Sequence, residues 1–404
     1  MINLPADDPA STIIPVPTTP SPSQATSPTP VVVSPESVPV TPPKKGKSKM
    51  IIVGLVVLFV LVLAGLVGFF VWQRSKDGNT QETDNSSQIV IGFSMGTLQE
   101  ERWQRDRDEF LKETEAKGVA LNLLSSNNNA ELQLQQARSL IEQGVDVLVI
   151  APYDADSIAP AVSEAQAAGI KVISYDRLIR GAQVDLYVSF DNKEVGRQEA
   201  QGVINVVNRG KFAYIGGSLT DNNALLLKEG SMEVLQPYID RGEIKLVYEE
   251  FTANWEPENA YDNLKGYLLK NPQVDAVVAA NDGTAFGSIR ALSEFGLDGK
   301  VPVSGQDAEL GACQRVVEGT QALTVYKPIP QLAKSAVELA IKLAKGENLE
   351  ITDYVSNGES EVPSYLIKPV MVTKENMMET VIKDQYHSFD EVYVNIPSDL
   401  RPKQ

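Results

Sequence analysis

From Ile89 onward, short runs rich in β-branched residues alternate with longer segments of helical period. Such alternation marks repeated βαβ units, whose parallel strands are buried on both faces and so read as continuous apolar runs. An α/β fold is therefore expected. Ile89 to Phe93 reads as the first strand, Glu100 to Lys117 as a helix ended by Gly118, Val145 to Ile150 as a second buried strand, and Ala159 to Ala168 as a helix closed by Gly169. A glycine just past the last helical residue is a common stop signal. Lys171 to Tyr175, Leu186 to Phe190, Phe212 to Ile215, Lys245 to Glu249, Ala276 to Ala280 and Val301 to Ser304 continue the series of strands. These exceed one compact core, since single cores stop growing at about 250–300 residues. Two similar doubly wound lobes are the simpler arrangement, with Ala333 to Leu343 a late helix of the first lobe and Thr352 to Lys368 mixed turn and strand.

Five apolar runs stop at hydrogen-bonding side chains: Asp176-Arg177, Asp191-Asn192, Asp221 with Asn222-Asn223, Asn281-Asp282 and Gln306-Asp307. In open parallel sheets, ligands bind in the crevice beyond the carboxyl ends of the strands. The groups offered there suit a neutral molecule covered in hydroxyls. A hydroxyl both donates and accepts, so its site needs acceptor-only carboxylates, donor-only Arg or Lys and two-way amides. Any one pair taken alone is more often a helix cap or turn. Five on the same side of successive strands point to a shared rim. Trp103 and Trp255 sit in polar surroundings and offer flat apolar faces to the C–H side of a sugar ring. For either alone, local packing is the commoner role. Lys327, after the short run at Val325-Tyr326, is either a surface lysine or one more donor at the rim.

Composition excludes several function classes. A net charge of −17 repels nucleic acids and anionic surfaces, which removes nucleic acid as a partner. There is no G-x-x-x-x-G-K-[ST] loop, no helix-turn-helix headpiece and no calcium-loop motif. The single histidine, His387, lies near the C-terminal end, so neither a Ser-His-Asp site in the core nor a histidine metal cluster is expected. Cys313 is the one cysteine and has no partner within the chain. No cofactor or metal is expected.

Residues Pro5 to Pro43 are dominated by Pro, Ser, Thr and Val and read as disordered or polyproline-like. Met50 to Trp72 carries no charge and exceeds the roughly 20 residues that a membrane helix needs. Lys44, Lys45, Lys47 and Lys49 precede it, whereas Arg74 and Lys76 follow and are soon joined by Asp77, Glu82 and Asp84, a bias for a cytoplasmic N-terminus. A cleaved signal peptide would have a shorter apolar region after a short basic start. The expected order is a cytoplasmic tail at 1–49, a transmembrane helix at 50–72 and a polar linker at 73–88.

The ordered segments after the linker resemble the periplasmic sugar-binding proteins of ABC importers, their D-xylose-binding members in particular. The resemblance runs over roughly residues 89 to 387. It is carried by Glu101-Arg102-Trp103-Gln104, Ala151-Pro152-Tyr153, Tyr175-Asp176-Arg177, Ser189-Phe190-Asp191-Asn192, Thr220-Asp221-Asn222-Asn223-Ala224, Trp255 with Pro257-Glu258-Asn259-Ala260, Ala280-Asn281-Asp282, Ser304-Gly305-Gln306-Asp307-Ala308 and Val325-Tyr326-Lys327-Pro328. It implies a type I periplasmic-binding fold, with two lobes joined by a three-segment hinge crossing near Asn192, Lys327 and Thr352. The first lobe would then hold 89–192 with 328–352 and the second 193–327 with 353–387, leaving 388–404 as a polar extension. The family's sugar contacts would fall on Arg102, Trp103, Asp176, Arg177, Asp221, Asn223, Trp255, Asn281, Asp307 and Lys327. The implied function is non-enzymatic: capture of a monosaccharide, D-xylose first among candidates, and delivery to an ABC permease with a separate ATPase, from a domain held outside the cytoplasm by the 50–72 span. The Pro-rich tail and membrane helix depart from the family's usual cleaved signal or lipid-attached cysteine. A sugar sensor signalling across the membrane and, with less support, a glycoside hydrolase are the rival functions.

Overall fold

The computed structural model describes residues 88–403. In chain order the elements are β1 (Val90–Met95), α1 (Glu101–Lys117), β2 (Ala120–Ser125), α2 (Ala130–Glu142), β3 (Val147–Ala151), α3 (Ala159–Ala167), β4 (Lys171–Tyr175), β5 (Leu186–Phe190), α4 (Asn192–Val206), β6 (Gly210–Gly216), α5 (Asn222–Asp240) and β7 (Ile244–Phe251). There follow α6 (Pro257–Leu268), β8 (Ala276–Ala279), α7 (Asp282–Glu294), α8 (Leu310–Glu318), β9 (Thr324–Tyr326), α9 (Ile329–Ala344), β10 (Asp353–Ser356), β11 (Glu361–Ile367), β12 (Val370–Val372) and α10 (Phe389–Val392).

Two lobes result. The first is a sheet of order β10-β11-β5-β4-β3-β1-β2, parallel except for the edge strand β10. Val147 to Ala151 is buried at every residue, as a strand covered on both faces must be. α1 and α9 cover one face through Phe93, Phe110 and Val337, and α2 and α3 cover the other through Leu140, Leu148 and Val162. The second lobe has the parallel order β7-β6-β8, continued by bridges at Val303 and Gln306, with α4 and α5 on one face and α6 and α7 on the other. α4 and α5 approach closely because both contribute a glycine. A Cβ on Gly196 would lie 2.0 Å from the Leu227 carbonyl oxygen, and one on Gly230 1.9 Å from that of Lys193. No larger residue fits either place.

The chain crosses between lobes after β5, after β9 and after β11. The first two crossings lie near Asn192 and Lys327. The third corrects the expectation of Thr352: residues 353–367 belong to the first lobe, because β11 pairs in parallel with β5 from Ser364↔Tyr187 to Ile367↔Phe190. Only β12 then returns to pair with β9. Two further differences concern strands. Ala120–Ser125 is a strand with no full apolar run, being half-buried at each position at the sheet edge, so Val147–Ala151 is the third strand and not the second. Val301 to Ser304 makes one bridge, Val277↔Val303, instead of a regular strand; Pro302 has no N–H to give a ladder.

The extension 388–404 is not merely polar. Ser388 and Glu391 form a capping box for α10, and Val392 and Tyr393 are buried with Cys313 and Val317 of α8. Among the described residues no helix is long and apolar enough to cross a membrane. The tail at 1–49, the apolar span at 50–72 and all but the last residue of the linker at 73–88 lie outside the described residues.

Candidate functional site

The carboxyl ends of the strands of both lobes face one another across one cleft. All ten residues expected at the site line it: Arg102, Trp103, Asp176, Arg177, Asp221, Asn223, Trp255, Asn281, Asp307 and Lys327. Two more join them, Glu100 and Gln306. Gln306 lay next to an expected residue. Glu100 carried no signal beyond its place before Glu101-Arg102.

The first lobe brings a chain of charges. Arg102, in the first turn of α1, reaches Asp106 one turn on at 3.0 Å, Asp176 after β4 at 2.8 Å and Asp307 of the second lobe at 3.4 Å. Asp307 also pairs with Lys327 at 2.8 Å, and Arg177 pairs with Asp221 of the second lobe at 2.8 Å. Tyr175, buried at the end of β4, donates its hydroxyl to Asp106 at 2.5 Å. The Asp176 backbone takes a left-handed φ of 59°, and its carbonyl accepts from Tyr187 Oη at 2.8 Å, Ser189 Oγ at 2.6 Å and Asn223 Nδ2 at 3.1 Å. A non-glycine residue held in this region costs about 1–3 kcal/mol and persists only where its surroundings enforce it. Asp307 (φ 93°) and Trp255 (φ 61°) share that strain. Three strained residues at one cleft set a functional site apart from ordinary turns.

Burial pushes the Asp176 carboxyl up, but Arg102, then Lys327 and Arg177, more than offset it and hold it below the ordinary range. Asp221 goes the other way: burial raises its carboxyl and Arg177 offsets this only in part. Burial likewise raises Asp106 despite Arg102. Carboxyl acceptors and fixed cations thus stand together in a poorly hydrated space, where a matched hydrogen bond counts for more than in water.

In the second lobe, site residues double as helix starts. Asp221 accepts the N–H of Asn223 with Oδ1 while Oδ2 faces Arg177. Asn281 accepts the N–H of Thr284 at the start of α7, which leaves its NH₂ group for the cleft. Trp255 packs flat over Gly217, where a Cβ would lie 2.0 Å from the indole ring. Its Nε1–H has no partner, and neither has Gln306 Oε1, although Gln306 Nε2 is anchored on the Ala280 carbonyl at 2.8 Å. Trp103 is occupied differently. The guanidinium carbons of Arg102 and Arg177 lie 4.3 and 4.9 Å from its ring centroid, so it steadies both cations.

The five polar pairs therefore divide. Asp191 lies outside the cleft lining, capping α4 through the N–H of Glu194 and pairing with Arg197 at 3.8 Å. Asn192 stands behind the site and orients Asn223, donating to its Oδ1 at 3.0 Å. Asp282 lies beneath, accepting from Thr324 Oγ1, Gln321 Nε2 and the N–H of Glu309. His387, for which only a terminal position was expected, is buried and bonds the Ala308 carbonyl at 2.8 Å.

Comparisons with known proteins identify the family and the fold. Residues 91–348 match the model of the periplasmic binding protein domain. The chain is 44% identical over 314 residues to a D-xylose-binding periplasmic protein of Escherichia coli K12, covering 78% of this chain and 95% of that one. Its identity to a D-xylose-binding periplasmic protein of Haemophilus influenzae is also 44%, over 76% of this chain and 93% of the relative. A solved ABC transporter solute-binding protein of Clostridium phytofermentans with bound β-D-glucose superimposes with a TM-score of 0.70, at 29% identity, covering 75% of this chain and 99% of that structure.

Proposed function

The chain belongs to the periplasmic binding protein domain family, and from that premise we propose that it is a receptor that closes its lobes around a monosaccharide, D-xylose or a related aldose. The observation that carries the proposal is the meeting of acceptor-only, donor-only and two-way groups from both lobes at one cleft. Asp176, Asp221 and Asp307 accept from hydroxyls; Arg102, Arg177 and Lys327 donate; Asn223 and Asn281 contribute amides; Trp255 lies against the apolar side of the ring. Relatives named for D-xylose and a solved relative holding glucose support an aldose.

Closure follows from the same contacts. The sugar touches groups of both lobes at once, so it binds the closed form better and shifts the population towards it by that difference. A permease can then read the closed form. In this proposal the domain stands outside the cytoplasm, tethered by the apolar span 50–72, and hands its sugar to an ABC permease driven by a separate ATPase. No bond of the sugar is made or broken. Isothermal titration of the full-length protein with D-xylose, D-ribose, L-arabinose and D-glucose is the test: saturable heat with D-xylose or another of these aldoses is expected, and no heat with any of them overturns the reading.

A further inference from the structure

Beside the cleft lies a second space, and the two share Glu100, Trp255 and Asn281 as common wall. Glu100 therefore stands on the wall between the two spaces. Each of the other carboxylates lining the cleft has a cation: Asp176 has Arg102, Asp221 has Arg177, and Asp307 has Lys327. Glu100 makes no ion pair among the described residues, and its Oε2 is shielded from water without any hydrogen-bond partner. Nor does it serve the helix it precedes. It occupies the N-cap position of α1, yet its side chain accepts no backbone N–H there. A buried carboxyl oxygen with no work in the protein is expected to be matched by something that enters the site.

We propose that Glu100 is a specificity-determining residue, whose carboxyl receives an exocyclic hydroxyl that projects from the sugar ring into the neighbouring space, so that the site favours a hexopyranose over the pentose lacking that arm. This rests on the sugar-binding reading above. D-glucose and D-xylose have the same ring hydroxyls and differ only by the hydroxymethyl group, which makes the pair a direct probe. A pentose fills the charged part of the cleft and leaves Oε2 of Glu100 and Nε1 of Trp255 unmatched. The hydroxymethyl arm gives one oxygen that accepts from the indole N–H and one hydrogen that reaches the carboxyl. A site built to bond a substrate hydroxyl discriminates against the analogue without it, because its own buried groups are then left unpaired. Burial pushes the Glu100 carboxyl up against the pull of Arg177. Its protonated form can also donate, so the match survives either protonation state.

The test titrates the full-length protein and its Glu100→Leu and Glu100→Gln variants with D-glucose and D-xylose, and reads the ratio of the two affinities. The wild type is expected to bind both and prefer glucose. Glu100→Leu should lower the glucose-to-xylose ratio by about tenfold, the loss of one matched hydrogen bond, and Glu100→Gln should restore most of it. Glu100→Ala carries the same test should the leucine variant not fold. An unchanged ratio in the leucine and alanine variants overturns the proposal. So does a wild type that gives heat with xylose and none with glucose, a result that leaves the sugar-binding reading standing. Absence of heat with both sugars would instead refute that reading itself.

Discussion

The two lobes meet the cleft in different ways. The first presents charges that are bound to one another: Arg102 is held by Asp106 and Asp176, Asp106 by Tyr175, and the Asp176 backbone by Tyr187 and Ser189. The second also joins in ion pairs, Asp307 with Lys327 and Asp221 with Arg177, but it anchors two of its side chains on backbone, Asp221 at the start of α5 and Asn281 at the start of α7. In the first lobe a site residue is part of a buried ionic set, so stability and affinity are tied together. In the second, a helix cap holds Asn281 by its carbonyl oxygen and leaves its NH₂ group toward the cleft. Affinity can be altered there at much smaller expense to the fold.

The largest effect should follow from Arg102→Met. It leaves Asp106 and Asp176 buried without their principal cation, and breaking a buried pair from one side costs about 3–5 kcal/mol. Urea unfolding should record that loss and titration should show no sugar heat. A variant as stable as the wild type would erase the distinction between the lobes. Asn281→Ala should be milder, about 1 kcal/mol for the lost cap of α7, with an affinity loss of about tenfold. A stability loss equal to that of Arg102→Met would show that both lobes are tied alike.

Acidity sharpens the same contrast with a smaller effect. In the second lobe burial raises Asp282 to about 7 and Glu309 to about 8, Glu309 also facing the carboxylates of Asp282, Asp307 and Glu101. Folded values above the ordinary carboxylate range mean that their contribution to stability is full below a pH of about 4 and is lost as pH rises through about 7 and 8. Asp176 of the first lobe has the opposite sign: its lowered carboxyl contributes above its unfolded value and loses that contribution as pH falls through the folded one. Melting temperatures should therefore decline from about pH 5 to about pH 8, and decline less steeply in Glu309→Gln. Equal slopes in the two proteins would remove Glu309 as a cause.

The site was more legible than the architecture around it. Ten side chains expected from strand ends and family resemblance do line one cleft, because a polar residue directly after a buried strand has few places to go. Capping and lining the cleft are not exclusive: Asp221 and Asn281 do both, since a carboxylate or amide has more than one bonding atom. Glu100 was missed because neither period nor motif marks a residue whose property is a lack of partners. The third crossing was misplaced because nothing local tells which sheet edge 361–367 will join, and the half-buried β2 showed no apolar run to find.

By itself the order of residues determined the α/β class, the two lobes and the chemical kinds of group at the rim, since burial on both sheet faces and polar strand ends leave their mark within a few neighbouring positions. Only the tertiary structure decided that Arg102 serves Asp106, Asp176 and Asp307 at once, that Asp176, Trp255 and Asp307 take left-handed backbones, and that Glu100 is left unpaired. Ion pairing, enforced strain and desolvation depend on which distant segments share one small volume, and 205 positions of chain separate Arg102 from Asp307.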